Sequence, residues 1–279
     1  MSRNHLINHP GRQERERSQV VRGQATRVEV QLQAGTILMD AVATAMDDLG
    51  CDSALLMLDG LKMGPYNFVK PTMNSPDGKL VAWYSETFHG QSATLEHAMA
   101  SVGRKDGEWF LHCHAVWDSE TDNPKSGHLL PFEVTVEQES TIICYAFKGG
   151  EFDVTYSEET FFSTFRAKPK TGSIEINNAA LITLSPHEDL GKALPQIANA
   201  LEFKDCRVLG LGSLIGADFE SGPSMEAAAS EVLLLPSATP THLPLHCIGS
   251  DWKQYRGLIV PGTVPVCITF ELLLIDISV

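Results

Sequence analysis

The chain has 279 residues, 43% of them apolar, and a formal net charge of −14. That length suits two ordinary domains, each able to bury a core. An acidic surface repels phosphate backbones, so nucleic acid is a poor first partner. With no run of roughly 20 apolar residues and no apolar leader segment, the expectation is a cytoplasmic protein with no membrane contact.

Residues 1–26 carry Arg3, Arg12, Arg15, Arg17 and Arg22 against Glu14 and Glu16, with no apolar periodicity. They predict a flexible basic N-terminal arm. A strand is predicted at Val28–Leu32. A helix follows from Thr36 to Leu49, whose Ile37, Leu38, Ala41, Val42, Ala45, Met46 and Leu49 form one stripe. Next come an apolar strand from Ala54 to Leu58 and two glycines, Gly60 and Gly64.

Residues Trp109–Trp117 read as a strand. Side chains two apart share a face about 7 Å from each other, so His112 and His114 stand at metal-ligand spacing. A polar loop, residues 118–126, then leads to His128, which can join them by a turn of the chain. Three neutral imidazoles leave a further position on zinc or another divalent transition metal for water or a small polar substrate, giving one site per chain. Glu96 is a candidate acid-base group and, with His97, a candidate to orient a ligand; His89 is a weaker candidate. The six cysteines stand singly in strand-like contexts and predict buried, reduced thiols.

After a polar stretch around residues 167–172, the pattern starts again. Ala180–Leu184 predicts a strand, and Leu190, Ala193, Leu194, Ile197, Ala198 and Leu201 a helical stripe. Gly212 and Gly216 repeat the spacing of Gly60 and Gly64, and Leu245-His246-Cys247 answers Leu111-His112-Cys113. Glu231 aligns roughly with Glu96. The second copy keeps His246 but has Ile248 in place of His114 and Gly257 in place of His128, so it is expected to hold no metal and to serve packing or assembly. The domains predicted are therefore the arm (1–26), a first copy with the three-histidine site (27–166) and a degenerate second copy (173–279). The predicted fold class is α+β: two tandem copies of a domain with an antiparallel sheet flanked by helices.

His112-Cys113-His114, Gly127-His128-Leu129, the helix from Thr36 to Leu49 and Gly60 to Gly64 together resemble the plants-and-prokaryotes-conserved (PPC) family, and the second copy looks like a degenerate member. The resemblance covers residues from about Arg27 to the C-terminus. It implies a trimeric homo-oligomer, and places a metal at His112, His114 and His128 in prokaryotic members. Plant members pair the domain with AT-hooks that bind the DNA minor groove, and prokaryotic members carry a DNA-binding label by analogy. This chain has no Arg-Gly-Arg-Pro hook, so DNA binding or regulation stands as the alternative to a metal-dependent activity.

Overall fold

The computed structural model describes residues 7–118, 125–171 and 176–278. In the first half β1 (Ser18–Leu32) leads into α1 (Leu38–Leu49), followed by β2 (Ser53–Met57), β3 (Lys62–Val69), β4 (Pro71–Met73), β5 (Ala82–Tyr84) and β6 (Phe88–Gly90). The half continues with β7 (Ala93–Lys105), β8 (Glu108–Asp118), β9 (Ser126–Val136), β10 (Ser140–Lys148), β11 (Gly150–Tyr156) and β12 (Ser163–Pro169). The second half is shorter: β13 (Ala179–Leu184), α2 (Leu190–Ala200), β14 (Cys206–Leu214), β15 (Ser230–Leu234), β16 (Pro244–Gly249), β17 (Gln254–Leu258) and β18 (Val266–Asp276).

The α+β expectation, with helices flanking the sheet, is overturned. Among the described residues strands take 56% and helix 9%, in two helices. The physical reason lies in the apolar periods. Each half has one stripe of period 3.6, and the remaining apolar alternations have period two and pair as strands. Because β3 pairs with both β9 and β7, the strands β7, β8, β9 and β3 close into a small barrel. A sheet that covers its own inner face needs little helix beside it.

The two predicted helices are present within two residues of their expected ends. Gly50 closes α1 in a left-handed conformation, at φ 55°, where a residue without Cβ is favoured. The Asp189 side chain caps α2 by accepting from the Lys192 amide, and it also accepts from the Gly262 and Val264 amides. Each helix lays its buried stripe on the sheet of its own half.

The expected basic arm takes another form. Residues Ser18–Leu32 are one long strand that holds the halves together: Ser18–Gly23 pair with β13 and Gln24–Leu32 with β10. Arg17 binds the Glu159 carboxylate at 2.6 Å, and Arg22 donates to the Leu201 carbonyl at 3.0 Å. These guanidiniums are spent on internal acceptors. Residues 1–6 lie outside the described part, as do 119–124 in the predicted polar loop.

The strand order β1-β10-β2-β7-β8-β9 of the first half is matched by β13-β18-β14-β15-β16-β17 in the second, within one continuous sheet. Three of the four apolar clusters among the described residues follow from strand alternation. Leu111, Cys113, Ala115 and Trp117 point into the core of the first half, and Val232, Leu234, Phe270 and Leu272 into that of the second. The opposite faces meet in a third cluster, where Leu55, Met99, Val116 and Phe147 pack with Leu209, Leu211, Leu233 and Leu273. All six cysteines are buried and unpaired. Among the described residues no helix is long and apolar enough to cross a membrane.

Candidate metal centre

The alternation that builds the third cluster also places the histidines. Since Leu111, Cys113 and Ala115 face their own core, His112 and His114 must face the other half. His114 is paired directly with His128 across β8 and β9. On the other side of β9, Gly127 lets β3 lie close, since a Cβ there would stand 2.6 Å from the Val69 carbonyl oxygen. The three rings gather with centroids 4.5 to 5.4 Å apart.

The same parity in the second half aims two carboxylates at these rings. In β18, Phe270 and Leu272 face inward, so Glu271 faces the histidines; in β15, Val232 and Leu234 do the same for Glu231. Ligand atoms of His112, His114, His128 and Glu231 lie within 4.8 Å of one another. Glu271 stands behind: it accepts from His112 Nδ1 at 2.9 Å and from the Ser101 hydroxyl. His114 Nδ1 meets the Val232 carbonyl at 2.9 Å.

These bonds assign the protons. A carbonyl only accepts, so His114 carries its hydrogen on Nδ1 and offers a lone pair at Nε2. That lone pair faces His112 Nε2 at 3.0 Å and is in contact with a Glu231 carboxylate oxygen. Acceptors converging on one point repel unless a proton or a metal cation stands among them. Two buried carboxylates, neither in an ion pair with a described Lys or Arg, call for the same positive charge. The donor set therefore fits a divalent metal, with Glu271 orienting His112 from behind.

Electrostatics sort the imidazoles. Burial, reinforced by the charges of His112 and His114, holds the His128 pKa well below its ordinary value, so this ring is a neutral donor at physiological pH. Burial acts to lower His112 as well, but the charge and hydrogen bond of Glu271, with Glu231 beyond, raise it overall.

The structure brings the three predicted histidines together with Glu231, and leaves Glu96 apart from them. Glu96 is exposed on β7, outside the cluster, and His97 binds Asp59 at 3.1 Å. His89 is exposed and bonded to Asn67. The alignment of Glu96 with Glu231 also needs correction. Ile248 pairs with Glu231 as His114 pairs with Met99, so Met99 occupies the position of Glu231. Glu271 was passed over because one acidic residue in an apolar strand carries no spacing signal. Its presence at an otherwise apolar position was the only hint.

At the position matching His112, the second half keeps His246, buried and with its Nδ1 unpartnered. Burial, with Arg256 and His97, pushes its pKa down to about 4 against a hydrogen bond to Gln254. The folded protein refuses a proton that the unfolded chain accepts below pH ~6.5, so His246 costs stability as the pH falls from there towards 4. The loss expected is about 3 kcal/mol. Denaturant melts at pH 7 and pH 4.5 check it: His246→Gln should lose less stability between them than wild type, and an equal loss refutes the assignment.

No family model and no curated protein matches the chain. Solved structures do. A plant- and prokaryote-conserved (PPC) protein of Pyrococcus horikoshii is similar at 18% identity and TM-score 0.39, over 53% of this chain and 96% of its own. A protein of Archaeoglobus fulgidus described as metal-containing is similar at 14% identity and TM-score 0.41, over 53% and 99%. A candidate DNA-binding protein of Ralstonia eutropha is similar at 16% identity and TM-score 0.38, over 51% and 94%. Each match spans about half of this chain.

Proposed function

We propose that this chain is a metal-binding protein that binds one divalent transition ion through His112, His114, His128 and Glu231 and acts on a small polar substrate in the adjoining cavity. The observation that carries the reading is the convergence of lone pairs: His112 Nε2, His114 Nε2 and a Glu231 oxygen face one another while the Nδ1 atoms of both rings are engaged elsewhere. With a carboxylate as the fourth ligand, tetrahedral zinc would have no vacant position. Manganese, iron, cobalt or nickel, which accept five or six ligands, would keep one open towards the cavity. Bound there, such an ion would supply Lewis acidity. The protein's own part is to hold His112 through Glu271, to fix the His114 tautomer through Val232, and to exclude water with apolar walls.

On this reading the two halves are tandem copies, a view supported by their matching strand order. The boundaries proposed are 27–166 and 173–279, with β1 joining the copies in place of a free arm. The second copy supplies carboxylates to the first instead of serving packing alone. We place the protein in the cytoplasm, supported by six buried unpaired thiols, and as a homo-oligomer, a trimer by resemblance. The exposed Phe132 and Tyr156 offer contact surface for it.

Elemental analysis of protein purified without added metal tests the site. About one transition ion per chain is expected in wild type, and near none in His112→Ala or His128→Ala. Metal-free wild type that also fails to take up manganese, cobalt or zinc on titration would refute the proposal.

A further inference from the structure

The cavity beside the histidines is larger than an ion needs. Its volume, about 280 Å3, falls just under the ~300 Å3 lower end of small-molecule pockets, which suits a ligand about one ring in size. The metal-binding cluster forms one end. At the other stands Lys105, four residues along β7 from Ser101, the residue paired with His112; at about 3.3 Å per residue they are roughly 13 Å apart along the strand. Between the two ends the wall is aromatic: Trp83, Phe110, Phe162 and Phe165.

Two polar groups on this wall have no hydrogen-bond or ion-pair partner among the described residues. Lys105 is exposed, its ammonium rests 5.2 Å from the centre of the Phe110 ring, and no described carboxylate is within ion-pair distance. Thr269 is 5% exposed, yet its hydroxyl has no hydrogen-bond partner. It lies two residues from Glu271 on the same face of β18, at the metal end. A buried hydroxyl left alone is costly, and a ligand in the cavity would relieve it.

Resting on the metal reading above, we propose that the cavity binds a flat, apolar, roughly one-ring molecule with a polar group at each end. A two-atom head gives one atom to the metal and one to Thr269, and an anionic tail meets Lys105. The aromatic wall stacks on the body, and the charge at the rim selects acids over neutral analogues.

The test uses the full-length chain loaded with Co(II), with benzohydroxamate and 4-carboxybenzohydroxamate as probes, read by the visible absorption of the cobalt and by calorimetry. Both probes are expected to bind and to shift the cobalt spectrum. The para-carboxylate should bind about fivefold more tightly, the upper end for an exposed ion pair. Lys105→Met should abolish that preference and leave benzohydroxamate affinity unchanged. Thr269→Val should weaken both probes while Co(II) binding holds and Tm stays level or rises, the unpartnered hydroxyl being gone. Equal affinity of the two probes in wild type, or a preference that survives Lys105→Met, overturns the anionic tail; undiminished binding in Thr269→Val overturns the two-atom head. If cobalt binds and neither probe does, the substrate class falls while the metal reading stands. If cobalt itself fails to bind, both fall together.

Discussion

Glu231→Gln is expected to weaken binding of Mn(II) or Co(II) by about a hundredfold or more, measured by competition with a chromogenic chelator. The substitution keeps the shape of the side chain and removes the charge that comes from the half of the chain without a histidine cluster. Glu271→Gln, which acts one step back through His112 and Ser101, should cost about ten- to a hundredfold, the usual range for a partner behind a ligand. Glu96→Gln should change nothing, because that side chain is exposed outside the cluster. Wild-type affinity in Glu231→Gln would restrict the ligands to the three histidines and leave the second half without a part in the chemistry.

Leu273→Ala is expected to cost about 3 kcal/mol, within the range for truncating a fully buried leucine. Leu273 is fully buried in the cluster shared by the two halves, on a strand flanked by β13 and β14. The loss should be felt by the whole chain, since β1 belongs to both halves and their outer faces share an apolar core. Far-ultraviolet circular dichroism and tryptophan fluorescence should report one common denaturant midpoint, shifted equally by the substitution. Three of the four tryptophans (Trp83, Trp109, Trp117) lie in the first half and one (Trp252) in the second. Two midpoints would mean that each half unfolds independently.

Much of the site was legible before any coordinates. His112 and His114 share a strand face by parity, and Gly127-His128-Leu129 marks the third ring at the start of the next strand. What misled was the reading of the second half by its losses. Ile248 and Gly257 replace ligands, which suggested a copy kept for packing. Parity along β15 and β18 brings its outward positions Glu231 and Glu271 up to the imidazoles across the interface. A similar displacement affected the arm. Arg17 and Arg22 look like a solvated charge run because their partners, Glu159 and the Leu201 carbonyl, are more than 140 residues away in the chain.

Local order in the chain was enough to determine the two helices, the strand alternation and which histidines share a face, because period and capping act over a few residues. Closure of β3 onto β7, the path of β1 through both halves and the meeting of Glu231 with three imidazoles were decided only in three dimensions. Each depends on which outer faces find one another once the two cores are buried, and that choice is made by contacts between residues far apart in sequence, which no local pattern encodes.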